Sequence, residues 1–527
     1  MKMVKGLVLG SAAGLLAVSG AQAADLPVKA KAVEYVKVCS LYGAGFFYIP
    51  GTDTCIKLGG YMRIDTTFNG GIYDQPAWSG DLGVGNRYRD SFASRSRMAL
   101  TVDTRTATEY GVVRTFLQGD FQFSTLGGST FNPNSLATNV ANNGQLLDTV
   151  GGGYVAVEYA FIQFAGFTFG KSSSAYATPW NGYPGNNTSY LIGGHDTVTG
   201  VNNIQYTAQF GNGVSGTIGL DDPTVFNRTP LYNLALGVGA NGLGTNTYEG
   251  WMWPDLVGNI RIDQAWGLFQ VSGAVHHVGA SYNVLGAGGF PVAGASPLTN
   301  SVLSGHPESK VGGSVMVALQ IKNIPTGAGD DIKMDASWAK GDTKNVISTS
   351  AASPSFLMLG GVPGQFGSNF SLGFGPTTDG VFLPTNVAFG GLFGDGSIHL
   401  TEAHGFRGAF NHNWDPYWST SLYGGIGFVR YDGTAKAEYC AAYGAGVPGR
   451  GLTYNCDPNF DVAQIGQVTR WTPVKNLTFS AETMWTHLHT AFSGFATFTP
   501  GAPQPIQTWT YKNQDTLSLN VRVQRNF

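Results

Sequence analysis

Sixteen short segments, each alternating apolar and polar side chains, are joined by connections that are in turn long and short. They lie near 59–68, 94–106, 109–123, 153–164, 166–171, 201–210, 213–221, 257–263, 267–277, 310–321, 331–340, 397–413, 418–431, 459–472, 476–489 and 515–527. A period of two is the signature of a β-strand with one face in an apolar medium. Short turns fall at Ala107-Thr108, Gly211-Asn212, 264–266, 322–330, 414–417 and 473–475, whereas 69–93, 222–256 and 341–396 run to tens of residues. Strict alternation puts every long connection at one end of the sheet, as in a membrane barrel with short periplasmic turns and long external loops. The expected fold is all-β: a transmembrane antiparallel β-barrel of about 16 strands.

The two faces can be read strand by strand. Met62, Ile64 and Phe68 oppose Arg63 and Asp65; Met98, Leu100 and Val102 oppose Arg95, Arg97, Asp103 and Arg105. Val113, Leu117, Phe121 and Phe123 oppose Arg114, Gln118, Asp120 and Gln122. Two β-rich runs around Ala165-Gly166 form a hairpin with Val155, Val157, Tyr159, Phe161, Phe167 and Phe169 on one face and Glu158 and Thr168 on the other. The segment that follows, about 172–200, has no helical period and is long for a loop in a compact domain unless it is functional. Taken alone, this stretch fits a surface loop on a soluble β protein as well as a pore with a constriction loop.

Composition and the start of the chain favour the pore. Only 12% of the 527 residues are charged, 13% are aromatic and 76 are glycine, whereas soluble domains carry about twice that charge. No run after the N-terminal segment is long and apolar enough for a spanning helix, but a closed barrel satisfies every backbone group without one. Lys2 and Lys5, the apolar run Gly6–Val18 and Ala21-Gln22-Ala23 read as a signal peptide over 1–23. Residues 24–58 are expected to be a periplasmic lead-in and 59–527 the barrel. Beyond residue 23 the chain has 28 basic and 33 acidic residues, a net charge of −5, which gives no footing for a nucleic-acid partner. A multidomain adhesin would show internal repeats, and none is visible.

Four cysteines form two local pairs, Cys39 with Cys55 and Cys440 with Cys456. In an exported chain, proximity favours these two disulfides among three connectivities. Free thiols are the alternative; no CxxC or neighbouring histidine pair supports a metal. At the end of the chain Leu517, Leu519, Val521, Val523 and Phe527 alternate with polar residues, and Val523 and Phe527 look like a C-terminal outer-membrane assembly signal.

Val36–Cys39, Gly45–Cys55 and Ile56–Arg63, together with Trp471-Thr472-Pro473-Val474-Lys475-Asn476-Leu477, resemble segments of the alphaproteobacterial, rhizobial and Brucella-type general porins. The resemblance implies a sixteen-stranded homotrimeric barrel whose third external loop, 172–200 here, folds inward as the constriction. It also implies small hydrophilic solutes and ions as cargo, with outer-membrane lipid and lipopolysaccharide as surroundings. Such constriction loops are often rich in carboxylates; this one offers only Asp196, beside His195.

Selection in such a pore is electrostatic. Arg63, Arg97 and Arg114, mid-strand and inward by parity, are expected to form the constriction with Glu158, His195 and Asp196. Asp65, Arg95, Asp103, Arg105 and Asp120 are further lumen charges. With one loop carboxylate opposite five arginines, the field should lean towards anions. A sugar-selective channel would instead stack aromatics along the lumen, with Tyr176, Trp180, Tyr183 and Tyr190 as candidates; a plugged adhesin or structural barrel is a third possibility. No catalytic constellation is visible and no cofactor is implied. His487 and His489 with Glu482 are the nearest approach to a metal set, and a GxSxG motif is absent.

Overall fold

The computed structural model describes residues 37–69, 92–124, 154–180, 182–186, 191–196, 199–223, 229–283, 302–347, 355–360, 370–445, 453–499 and 506–527. The expected signal peptide, the start of the lead-in and Tyr190 lie outside the described residues. Sixteen strands form the barrel: β1 (Thr54–Phe68), β2 (Phe92–Thr108), β3 (Gly111–Ser124), β4 (Tyr154–Phe164), β5 (Phe167–Ser172), β6 (Val201–Gly211), β7 (Val214–Asp221) and β8 (Asp255–Gln264) make its first half. The second half is β9 (Gly267–Val278), β10 (Lys310–Lys322), β11 (Asp331–Lys340), β12 (Glu402–Asn413), β13 (Trp418–Arg430), β14 (Phe460–Val474), β15 (Leu477–Thr490) and β16 (Gln514–Asn526). Each strand pairs antiparallel with the next, and β16 pairs with β1, so the sheet closes. Phe527 and Gly60 exchange backbone hydrogen bonds at 3.1 and 3.3 Å across that seam. The barrel begins at Thr54, five residues before the expected start, because Cys55 already pairs in the sheet.

Alternation sets the faces. Met62, Ile64, Leu117, Phe121, Leu517 and Leu519 are exposed on the outer wall, while Asp65, Thr67, Asp120 and Asn520 are buried inside. The periplasmic turns carry an aromatic belt: Tyr110, Trp266, Trp414, Tyr417, Trp418 and Trp471 are exposed there, where amphipathic rings suit the membrane interface. The turns themselves are tight. Ala165 (φ 50°) and Gly166 (φ 86°) are both left-handed, the geometry that suits a two-residue hairpin. The first turn is Glu109-Tyr110, two residues later than expected. In β14 the pairing with β15 slips between Trp471 and Val474, where Pro473 lacks the N–H a ladder needs.

One face assignment is corrected. In the β3–β4 pairing Gln118 faces Tyr159 while Gly119 faces Val157. Glu158 is therefore an extra residue, a β-bulge, and parity inverts beyond it. Val155 and Val157 point outward as expected and Ile162 joins them, but Tyr159 and Phe161 turn into the lumen and line its cavity.

The external loops build a cap. Phe356–Gly360, Phe370–Gly375, Gln507–Tyr511, Ser493–Phe498 and Tyr454–Asn455 form a small sheet in that order. Helix α1 (Gly433–Ala445) lies with them, held by the disulfide Cys440–Cys456. Phe356, Phe374, Tyr439, Tyr443, Phe492 and Trp509 fill the interior of the cap, which continues onto Phe460 and Leu488 of β14 and β15. The long segment 341–396 thus contributes cap strands instead of lying free. Both expected disulfides are present, with Cα–Cα distances of 6.1 Å for Cys39–Cys55 and 5.7 Å for Cys440–Cys456. Each closes a short loop, a constraint on the order of 3 kcal/mol in the chain-entropy account.

Candidate pore constriction and lumen

The segment after β5 crosses the lumen and leans on the far wall. Asn259 of β8 and Gln270 of β9 donate to the carbonyls of Ala175 (2.6 Å) and Ala177 (2.7 Å). The Ile192 N–H donates to Gln464 of β14 at 3.0 Å. Asn186 meets Asn520 and Ser480, and Arg522 of β16 donates to its carbonyl at 2.8 Å. Gly193 and Gly194 permit the closest approach. A Cβ on Gly193, whose φ is +112°, would meet the Phe406 carbonyl at 2.6 Å, and one on Gly194 would collide with Asp335 Oδ1. No side chain fits at either position.

The expected loop charges face a different wall. Asp196 is 3.4 Å from Arg407 of β12, whose Nη2 also donates to the His195 carbonyl at 3.0 Å. Arg407 pairs with Asp335 of β11 at 3.1 Å, and Tyr183 donates to Asp335 as well. His195 and Asp196 therefore do not oppose the arginines of the first three strands. They clamp the loop to β11 and β12. Arg407 and Asp335 are not among the lumen charges expected from the first strands; the signal for them is parity, because Phe406 points outward and so turns Arg407 inward.

On the β1–β4 wall the charges are interleaved. Arg95 grips Asp65 through two bonds of 2.8 and 2.6 Å, and Arg522 shares the same carboxylate at 2.7 Å. Arg97 pairs with Asp120 at 2.6 Å, donates to the neutral Gln122 Oε1 at 2.7 Å, and lies 3.8 Å from Glu158. Glu158 in turn accepts from Thr199 at 2.6 Å, tying the end of the loop to the bulge. Arg114 and Arg105 share Asp103 at 3.0 and 3.1 Å, close to the Glu109-Tyr110 turn and so near the periplasmic mouth. There Arg105 also lies 4.8 Å over the ring of Phe46 from the lead-in. Arg63 differs from the other four: it donates to the neutral Gln524 at 2.8 Å and stacks 4.4 Å over Tyr61, with no carboxylate partner among the described residues.

The expected aromatic track is also relocated. Tyr176 packs with Val257, Ala274 and Met316, and Trp180 and Tyr183 pack with Tyr423, Val468 and Met484. They anchor the loop instead of lining a path. Aromatic surface in the lumen comes from Phe116, Tyr159 and Phe161; Phe116 and Phe161 stack at 5.4 Å. These rings line a cavity of about 470 Å³ between residues 173–179 and strands β3, β4 and β6–β9, completed by Gln118, Gln205, Asn259, Arg261 and Gln270. His487 and His489 pair with Asp515 and Asp461, whereas Glu482 is buried on the opposite face with Tyr423; they do not form a metal set.

A porin subfamily profile matches residues 25–520. The chain belongs to this family. Porin Omp2b of Brucella suis is 34% identical over 282 residues, which cover 52% of this chain and 65% of that protein. The Brucella abortus protein of the same name is 34% identical over 281 residues, with the same coverage. The matched region thus spans just under two thirds of those relatives. In structure, this porin resembles the outer membrane channel DcaP of Acinetobacter baumannii, with a TM-score of 0.54 and 15% identity over 91% of this chain and 99% of that one; that likeness concerns the fold. This porin is a protein of the bacterial outer membrane, crossed by strands, and no helix among the described residues could cross it.

Proposed function

We propose that the protein is a water-filled channel for passive diffusion of small hydrophilic solutes and ions. The observation that carries this reading is the inward loop docked on β8–β16, with polar side chains on the opposite wall and an open cavity between them. A sixteen-stranded barrel is wide enough for an aqueous lumen once one loop narrows it. Purified protein in a planar bilayer should give discrete ohmic conductance steps; a silent barrel would indicate a plugged structural protein. Homotrimeric assembly follows the family and is testable by cross-linking in mild detergent.

The constriction residues we propose are Arg63, Arg97 and Glu158, with Arg114 and Arg105 nearer the periplasmic exit. Along β1–β4 five arginines face four acids, Asp65, Asp103, Asp120 and Glu158, and Arg63 is the one with no carboxylate partner among the described residues. Charges more than a Debye length of about 8 Å from the constriction are largely screened. Mild anion preference is therefore expected, read as a reversal potential in a KCl gradient. Arg63→Gln should abolish most of it, because that charge is uncompensated; cation selectivity unchanged by the substitution would remove Arg63 from the filter. The stacked Phe116 and Phe161 beside Arg114 favour a second reading, in which solutes with one apolar face, such as sugars, are slowed in the cavity. Solute-dependent conductance noise, lost in Phe161→Ala, is its test.

A further inference from the structure

Outside the channel, the cap gathers three potential ligand atoms that the transport function leaves unused. The short strand His399–Leu400 follows the turn Gly394–Ser397 and pairs with Gly380–Phe382. Helix α1 begins beside it, capped by Asp432, whose Oδ1 accepts the Ala435 N–H at 2.8 Å. Glu438, one turn into α1, is turned inward with Tyr439 and Ala442 and is only 1% exposed. Its Oε1 accepts the Asp395 N–H at 3.1 Å. Its Oε2 is buried and has no hydrogen-bond partner among the described residues, a costly state for a carboxylate oxygen. Asp395 Oδ2 lies 3.0 Å from His399 Nε2, and a ligand atom from each of Asp395, His399 and Glu438 lies within 4.8 Å of the others.

We propose that Asp395, His399 and Glu438 form a binding site for a divalent transition-metal ion of the zinc type on the external cap. Three carboxylates surround this imidazole, counting Asp432, and the nearby Lys436 is engaged elsewhere, with Asp457 at 3.0 Å. Asp395 and Asp432 are half exposed and reached by water, but Glu438 is buried, and a divalent cation would give its carboxylate the counter-charge it lacks. The ring is already oriented for the task. Its Nδ1 faces Asp432 Oδ2 at 3.2 Å, the carboxylate–histidine arrangement that fixes a ligating ring and leaves Nε2 for the metal. One imidazole and two carboxylates suit zinc, leaving a fourth position for water. Calcium, which takes six to eight oxygens, is poorly served by so few. Sulfur ligation is excluded because Cys440 and Cys456 are bonded to each other. The ion would join the turn before His399 to α1, two cap segments that meet here through side chains.

The test uses the full-length protein in detergent, stripped with a chelator and titrated with Zn²⁺ by calorimetry. One zinc per chain is expected, weakened at least tenfold in both His399→Ala and Glu438→Gln and unchanged in His404→Ala, an exposed histidine of β12. No binding, or binding indifferent to both substitutions, would overturn the proposal. Displacement of zinc by equimolar Ca²⁺ would overturn the ligand class. Should a variant fail to fold, zinc X-ray absorption on the wild-type protein decides: one imidazole in a shell of light atoms is expected, and a sulfur or multi-imidazole shell would refute the site.

Discussion

Glu158 occupies one position more in β4 than β3 has residues to match, and that single insertion turns Tyr159 and Phe161 from the lipid side to the lumen. The run Val155 to Phe161 reads as uninterrupted alternation, and nothing in its own residues marks the bulge. It emerges only when β4 is counted against β3. The other slips, at Gln209/Gly211 and Trp471/Val474, lie beside the periplasmic turns, so parity holds through the middle of β3 and makes its faces testable where depth is greatest. Leu117 points outward about six residues above the Glu109-Tyr110 turn, roughly 15–20 Å along the strand and near mid-membrane. Leu117→Arg should cost roughly 2–4 kcal/mol and impair assembly, whereas Gln118→Arg, facing the lumen, should fold. Heat-modifiable migration on gels would show both; equal folding of the two would mean a register slipped by one. At Gly194 the prediction concerns transport: Gly194→Leu cannot fit against Asp335 and Arg407, so the loop should lift from β11 and β12 and single-channel conductance should rise.

Among the elements, every barrel strand was legible because period-two patterning and turn residues act locally. Loop docking was not, because Asp196 could be matched with Arg407 only once the barrel had brought positions 211 residues apart together. The inward loop was recognisable by length and place; its anchor was not. The periplasmic turn between β10 and β11 gives a comparable case at the other end. Asp330 accepts from Thr326 (2.7 Å) and from the Asn413 N–H (2.8 Å), and faces His412 at 2.7 Å. Burial alone would raise its pKa, but these bonds outweigh it and hold the carboxyl near 2, below the ordinary 3.8. A depressed folded-state pKa contributes stability that is present above pH 4 and is lost as pH falls towards 2. Between pH 4 and 2, wild-type thermal stability should therefore fall more steeply than that of Asp330→Asn. Parallel curves would show that the turn carboxylate is not linked to folding.

Across the whole molecule, the cap and the constriction loop share one wall. Val346 and Ile347 of the cap segment meet Ile192 of the loop, with Gly193 N–H donating to the Val346 carbonyl at 2.8 Å. The cap's strands come from loops widely separated in sequence, so its sheet could not be read from any one of them. Reduction of Cys440–Cys456 should loosen α1 and speed external proteolysis near residues 433–456, while the barrel keeps its heat-modifiable form; loss of both together would show one cooperative unit. The seam has a kinetic meaning as well. Arg522 and Asp65, 457 positions apart, are joined across β16 and β1, a contact of the highest loop-closure cost and so a late one. Arg522 also holds the Asn186 carbonyl of the constriction loop. The loop's complete dock thus has to wait for the cylinder to close, and its arrival on β16 can serve as a clock for the last step of assembly.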